Sequence, residues 1–284
     1  MSQTLNNSRV GVLLIHGLTG RPAEMNPVRR LLSARGYRVE APLLPGHGAG
    51  HKELLATNWR DWLKGAQEAF DKLAKECEQV YVCGLCASAP LALLLAAEES
   101  ASGLVLLSTH FGKFHPKQTW KRHLLPLVYP FPFLRRRLYW TEEPPYGVKD
   151  ARLQQFITMS LQSAKRKGRS EYGTFRTYVE SFHQCELLVE EAKRQASRVK
   201  CPALVVHSLE DTWFGVDNAV AVAEALGSND KTVMLINGCD HVITIDLRKN
   251  DIARHIESFV SSVAQRTLAP ALGEKDLKAV AVGD

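Results

Sequence analysis

The 284-residue sequence lacks any apolar run of bilayer length. Its longest apolar stretches, Pro90 to Ala97 and Leu124 to Leu134, are too short to span a membrane, and prolines break the second. Met1 to Ser8 is polar with no apolar run, which predicts no secretory signal. A cytoplasmic protein is expected, with peripheral membrane contact as a further expectation. Cysteine is sparse and unpatterned: the six (Cys77, Cys83, Cys86, Cys185, Cys201, Cys239) do not suggest a disulfide framework in such a chain. Cys83 and Cys86 form a lone C-x-x-C, which would suit redox or zinc chemistry elsewhere. No second pair stands at zinc-finger spacing, so no metal and no cofactor is expected.

Helical and strand periodicities fill most of the chain. Arg9 to His16 is a nearly continuous apolar run, as expected of a strand covered on both faces in a parallel sheet. Further runs at Tyr37 to Leu43, Val80 to Leu85, Gly103 to Ser108, Cys201 to His207 and Thr232 to Ile236 read as strands. Between them lie helices at Asn26 to Arg35, Trp59 to Glu76, Val216 to Leu226 and Leu247 to Val263. This alternation predicts an α/β protein with a mainly parallel central sheet and helices on both faces.

The rhythm stops between Thr109 and Lys200, where no strand is obvious. Prolines interrupt an aromatic, basic segment, and helical stripes follow: Leu153, Phe156, Ile157 and Leu161 after a capping Asp150, then Phe175, Tyr178, Val179 and Phe182. The expected organisation is a core of residues 1–110 and 201–263, an inserted helical lid of residues 111–200, and a flexible tail at 264–284. Residues 111–200 hold 18 Lys and Arg against 8 Asp and Glu, so the net charge of +6 originates in the insertion.

The strand at Val80 runs into Gly84-Leu-Cys86-Ala-Ser88 and an apolar helix, the context of a nucleophile elbow with a thiol at its apex. Asp211 and His241 follow in the order nucleophile, acid, histidine, each just past the end of a predicted strand, where an open α/β sheet places its ligands. Ser88 is an alternative nucleophile, but choosing it would put Cys86 where glycine normally relieves the turn. Glu210 and Asp240 are alternative acids. His16 and His47 read as loop-shaping residues and His207 as a core residue.

Five stretches resemble the α/β-hydrolase superfamily, specifically small bacterial carboxylesterases and monoacylglycerol lipases of the serine aminopeptidase type. They are Leu13-Leu-Ile-His-Gly-Leu-Thr-Gly20, Leu44-Pro-Gly-His-Gly48, Gly84-Leu-Cys-Ala-Ser88, Cys201-Pro-Ala-Leu-Val-Val-His-Ser-Leu-Glu-Asp211 and His241-Val-Ile-Thr-Ile-Asp246. The resemblance implies an α/β-hydrolase fold with Cys86 as nucleophile, His241 as base and Asp211 as the carboxylate that orients it. It also implies an oxyanion hole from the backbone N–H groups of Leu18 and Ala87, with Thr19 as a candidate pocket residue. The chain departs from the pattern twice: Cys86 replaces serine, and Ser88 stands where glycine is usual.

A thiol beside histidine can ionise as a thiolate–imidazolium pair, and an acyl-thioester yields to amines and thiols as well as to water. Polyester synthases and dienelactone hydrolases are relatives that also use cysteine at the elbow. The expected function is an acyl ester or acyl thioester hydrolase working through an acyl-cysteine. The alternatives are an acyltransferase and a non-catalytic acyl or carrier-protein binder. A dithiol redox protein using Cys83 and Cys86 is a further reading. The basic lid, with Arg135-Arg-Arg137 among Phe131, Phe133, Leu134, Leu138, Tyr139 and Trp140 and with Lys165-Arg-Lys-Gly-Arg169, suits an acidic partner: an acyl carrier protein, a coenzyme A phosphate or anionic lipid. No motif accompanies it that would suggest nucleic acid.

Overall fold

The computed structural model describes residues 7–48, 50–112, 124–167 and 176–276. Six strands form one sheet: β1 (Val10–Ile15), β2 (Arg38–Glu40), β3 (Gln79–Leu85), β4 (Gly103–Leu107), β7 (Ala203–Ser208) and β8 (Lys231–Ile236). Their order is β2-β1-β3-β4-β7-β8 and every pairing is parallel. β1, β3, β4 and β7 are buried at every position, which explains their nearly continuous apolar sequences. The edge strand β2 is shorter than its apolar pattern suggests. Pro42, which has no N–H to give a ladder, follows just beyond it.

Helices cover both faces. On one side, α1 (Asn26–Ala34) and α10 (Lys249–Asp276) bury Val28, Leu32, Ile252, Ile256 and Val260 against Val12, Leu14 and Tyr81. On the other lie α3 (Trp59–Glu76), α4 (Ser88–Glu98), α8 (Val179–Gln195) and α9 (Asp217–Ala225), which pack on Leu13, Ile15, Val82 and Leu106. Asn58 and Asp61 close a capping box at the start of α3, and its buried stripe of Trp59, Trp62, Ala66, Phe70 and Leu73 follows the helical period. α10 continues past the expected end at Val263, and Ala264 is fully buried against the core, so the proposed tail does not begin there.

The insertion differs from its sequence reading in two respects. It contains strands: β5 (Tyr139–Thr141) and β6 (Arg176–Tyr178) pair antiparallel, and Tyr178, expected in a helix, ends β6. Three residues are too few to show a period of two. Its final helix, α8, belongs to the core, because Cys185, Leu188 and Ala192 are buried against α4 and its neighbours. Between β4 and β6 lie the short α5 (Leu125–Val128) and α6 (Pro132–Arg135) and then α7 (Ala151–Lys167), capped by Asp150 Oδ1, which accepts from the N–H groups of Arg152 and Leu153. Ile157 and Leu161 of α7 are buried, whereas Phe156 is half exposed. Phe175 and the side chains of the 165–169 basic run lie outside the described residues. Among the described residues no helix is long and apolar enough to cross a membrane.

Candidate active site

Cys86 follows the last residue of β3 and, with Ala87, makes the turn into α4; its φ of 56° is a left-handed conformation that a non-glycine residue adopts only under constraint. Its N–H donates to Leu107 O at 2.9 Å, and its carbonyl accepts from Ala89 N at 3.1 Å. A Cβ at Gly84 would overlap the Ser88 carbonyl, so the turn requires glycine there. Ser88 is not free to act as the nucleophile: its buried hydroxyl donates to His16 O at 2.5 Å. That bond ties the elbow to the turn after β1.

The imidazole of His241, in the loop after β8, donates from Nδ1 to Asp211 Oδ2 at 2.7 Å. The other oxygen of Asp211 accepts from Trp213 N at 2.8 Å and Phe214 N at 2.9 Å. Burial pushes the Asp211 pKa up, but the His241 charge and hydrogen bond, aided by His207 and Phe214 N–H, hold it below the ordinary carboxylate value. Burial likewise pushes the His241 imidazole down, and is outweighed by the Asp211 carboxylate and the Cys86 thiol, which hold it well above the ordinary value. Both contacts favour the imidazolium form of His241. Nε2 of His241 is buried, and the imidazole and the Cys86 thiol, which interact, line one cavity. The Trp213 ring stacks on the imidazole at 5.4 Å with an 8° interplanar angle.

The rival acids have other tasks. Asp240 accepts from Thr212 N, Thr212 Oγ1 and His241 N, bracing the loop. Glu210 is held at the surface by Lys149 and by Gly238 N–H. His207 is fully buried, as a core residue should be, yet its Nε2 sits 3.0 Å from Phe214 O and 3.4 Å from Asp211 Oδ2. Burial holds it below the ordinary imidazole value despite Asp211, the opposite direction from His241 on the same carboxylate.

The turn after β1 carries Leu18 and Thr19 into the same cavity as Cys86 and Ala87. His16 shapes it: Nδ1–H donates to Gly17 O at 2.9 Å and Nε2 accepts from Leu44 N at 3.2 Å, while burial pushes its pKa to about 3. His47 packs edge-on against His16, and burial lowers it to about 4. Among the described residues neither Leu18 N–H nor Ala87 N–H has an acceptor within the protein, so both can meet a ligand.

The cavity holds about 120 Å³, and among the described residues no Lys or Arg lines it. The core supplies one wall; the insertion supplies the other with Trp140, Glu142, Tyr146, Ile157, Leu161 and Thr177. Glu142 accepts from Trp140 Nε1 at 3.0 Å and Thr177 Oγ1 at 2.6 Å. Sequence reasoning missed all six as pocket residues, and it missed Trp213, Glu24 and Asp246. Asp246 accepts from the N–H groups of Lys149, Asp150 and Asp240, joining the His241 loop to the insertion. Trp213 could have been suspected from its place two residues after the acid; the others carry no local signal. All six cysteines are free thiols, and Cys83 is fully buried within β3 with its pKa pushed far up by burial, a poor partner for dithiol chemistry.

A family model for serine aminopeptidase, S33, matches residues 6–248. A thermostable monoacylglycerol lipase from a Bacillus species is 26% identical over 255 residues, covering 89% of this chain and 91% of that protein. A carboxylesterase from Bacillus subtilis is 23% identical over 268 residues, covering 92% and 96%. The solved monoacylglycerol lipase of Paleococcus ferrophilus superposes with a TM-score of 0.74 at 20% identity, covering 90% of this chain and 95% of that one.

Proposed function

Because the chain belongs to the serine aminopeptidase S33 family of α/β-hydrolases, we propose that it hydrolyses acyl esters or acyl thioesters through an acyl-cysteine on Cys86. The observation that carries this reading is the coincidence, in one cavity, of a thiol on a positive-φ elbow and an imidazole bonded to a buried carboxylate.

Asp211 fixes the Nδ1–H tautomer of His241 and, by favouring imidazolium, supports a thiolate on Cys86. Sγ attacks the acyl carbonyl carbon, and its π electrons move to oxygen, giving a tetrahedral oxyanion that accepts from Leu18 N–H and Ala87 N–H. Each such donor contributes about 3 kcal/mol of transition-state stabilisation. The carbon–oxygen or carbon–sulfur bond to the leaving group breaks as His241 Nε2–H gives it a proton. Water, deprotonated by Nε2, then attacks the thioester, releasing the acid and returning the proton to the Cys86–His241 pair. Among the described residues the cavity is walled mainly by apolar side chains and by no Lys or Arg, which suits an uncharged acyl group.

Incubation with acyl p-nitrophenyl esters and acyl thioesters, followed by intact mass measurement, should show an acyl adduct that is absent in Cys86→Ala. No adduct, with undiminished turnover by Cys86→Ala, would overturn the mechanism. Acyl transfer is the second reading, favoured by the thioester itself; an adduct that discharges faster to an added amine or thiol than to water would establish it. A non-catalytic acyl binder would bind ligand without turnover and keep binding in His241→Ala.

The insertion supports a partner reading as well. Phe131, Phe133, Leu134, Leu138 and Tyr139 are exposed beside Arg136 and Arg137, so an acidic acyl carrier, coenzyme A or anionic lipid surface would find both apolar area and charge there. Arg135 is not part of that face: it is half-buried and donates to Glu180 at 2.7 Å.

A further inference from the structure

The turn that presents Leu18 N–H is wrapped around a carboxyl group. Glu24 Oε2 accepts from Gly17 N–H at 3.0 Å, and among the described residues that is its one hydrogen bond. Gly17 O accepts from Gly20 N at 3.1 Å and from His16 Nδ1 at 2.9 Å. Both backbone groups of Gly17 are thus pinned. Since the Gly17–Leu18 peptide is planar, pinning its carbonyl sets the direction of Leu18 N–H. A Cβ at Gly20 would overlap the Glu24 carboxyl, so the turn closes directly onto that group. Glu24 is half-buried and lines the cavity with Cys86 and His241.

We propose that Glu24 is a positioning residue for the oxyanion hole: its carboxyl anchors the turn that aims Leu18 N–H, and its charge state sets how well that hole supports an oxyanion. The inference rests on the Cys86 reading above. Burial pushes the Glu24 pKa up to about 7, while Gly17 N–H and the His241 charge hold it down. The other titratable groups around it are His16 at the end of β1, kept neutral by burial, Arg21 in its own turn, Cys86 at the elbow, His110 after β4 and Glu142 on the far wall. Below the Glu24 pKa the carboxyl is neutral and tolerates a neighbouring oxyanion. Above it, a carboxylate beside the hole opposes the charge that develops there.

The test compares parent, Glu24→Gln and Glu24→Ala with one p-nitrophenyl acyl ester from pH 5.5 to 8.5, with intact mass recorded in parallel. The parent should lose about tenfold in acylation rate as pH rises through 7, the size of one neighbouring charge. Gln cannot ionise but its amide oxygen can accept from Gly17, so that fall should vanish. Ala leaves Gly17 N–H without its partner and should lower kcat about tenfold with less change in KM, and Gln should rescue most of that loss. A Gln profile superimposed on the parent's, or a Gln variant as impaired as Ala at every pH, overturns the proposal while the acyl-cysteine reading stands. No acyl adduct in the parent overturns both.

Discussion

The sheet core and the insertion handle apolar residues in opposite ways. In the core, Leu13, Leu94, Leu106 and Val205 are wholly buried, and four strands have no exposed position. In the insertion, Leu127, Phe131, Phe133 and Met159 are each more than half exposed, at 70%, 55%, 62% and 60%. The difference separates two kinds of information. Core residues are specified by what they must avoid, which is water. Insertion residues are placed by a few polar anchors, such as Arg135 with Glu180, and leave their apolar surface for what comes to the site.

The largest expected effect tests the core side of this contrast. Cys86→Ala should cost about 10⁴-fold or more in turnover of a p-nitrophenyl ester, by analogy of role with other triad nucleophiles, whereas Phe133→Ala should leave turnover of the same small ester within about twofold. A large loss in Phe133→Ala would mean that the exposed insertion helps shape the site.

Next in size are two stability changes, to be read from urea midpoints. Arg135→Ala leaves the buried Glu180 carboxylate without its counter-charge, with only the Gln184 amide still donating to it, and should destabilise by about 3 kcal/mol. Leu94→Ala opens a cavity under the sheet and should cost about 2–5 kcal/mol. If Arg135→Ala were neutral, the insertion would not depend on that anchor.

A smaller effect is set by pH. The Asp211 pKa is lowered in the folded state, so between that value and the ordinary aspartate pKa of ~3.9 the unfolded chain binds more protons. Its contribution is complete above ~3.9 and is lost as pH falls through the lowered value. Asp211→Asn should flatten that part of the acid limb in denaturation measured from pH 6 to pH 2. The smallest effect is Phe133→Ala on stability, within about 0.5 kcal/mol.

The fold was legible because strands covered on both faces read as continuous apolar runs and helices such as α3 carry an apolar stripe. The candidate site positions Cys86, Asp211 and His241 were legible because each follows a strand end in the order the family uses. The resemblance already put Asp211 ahead of Glu210 and Asp240, and in the structure Asp211 alone of the three bonds His241 Nδ1. Ser88 likewise looked like a mere departure from glycine, and its hydroxyl proves to join the elbow to the turn after β1.

By itself, the sequence determined the parallel sheet, its flanking helices and the approximate places of Cys86, Asp211 and His241, because burial and strand ends leave marks within a few residues. Only tertiary structure decided that β5 pairs with β6, that α8 belongs to the core, that insertion residues wall the cavity and that Glu24 sits under the turn after β1. Those contacts join segments through single hydrogen bonds or short patches of packing. A bond between Ser88 and His16, or three residues of antiparallel pairing across the insertion, imposes no period on either partner that a sequence could display.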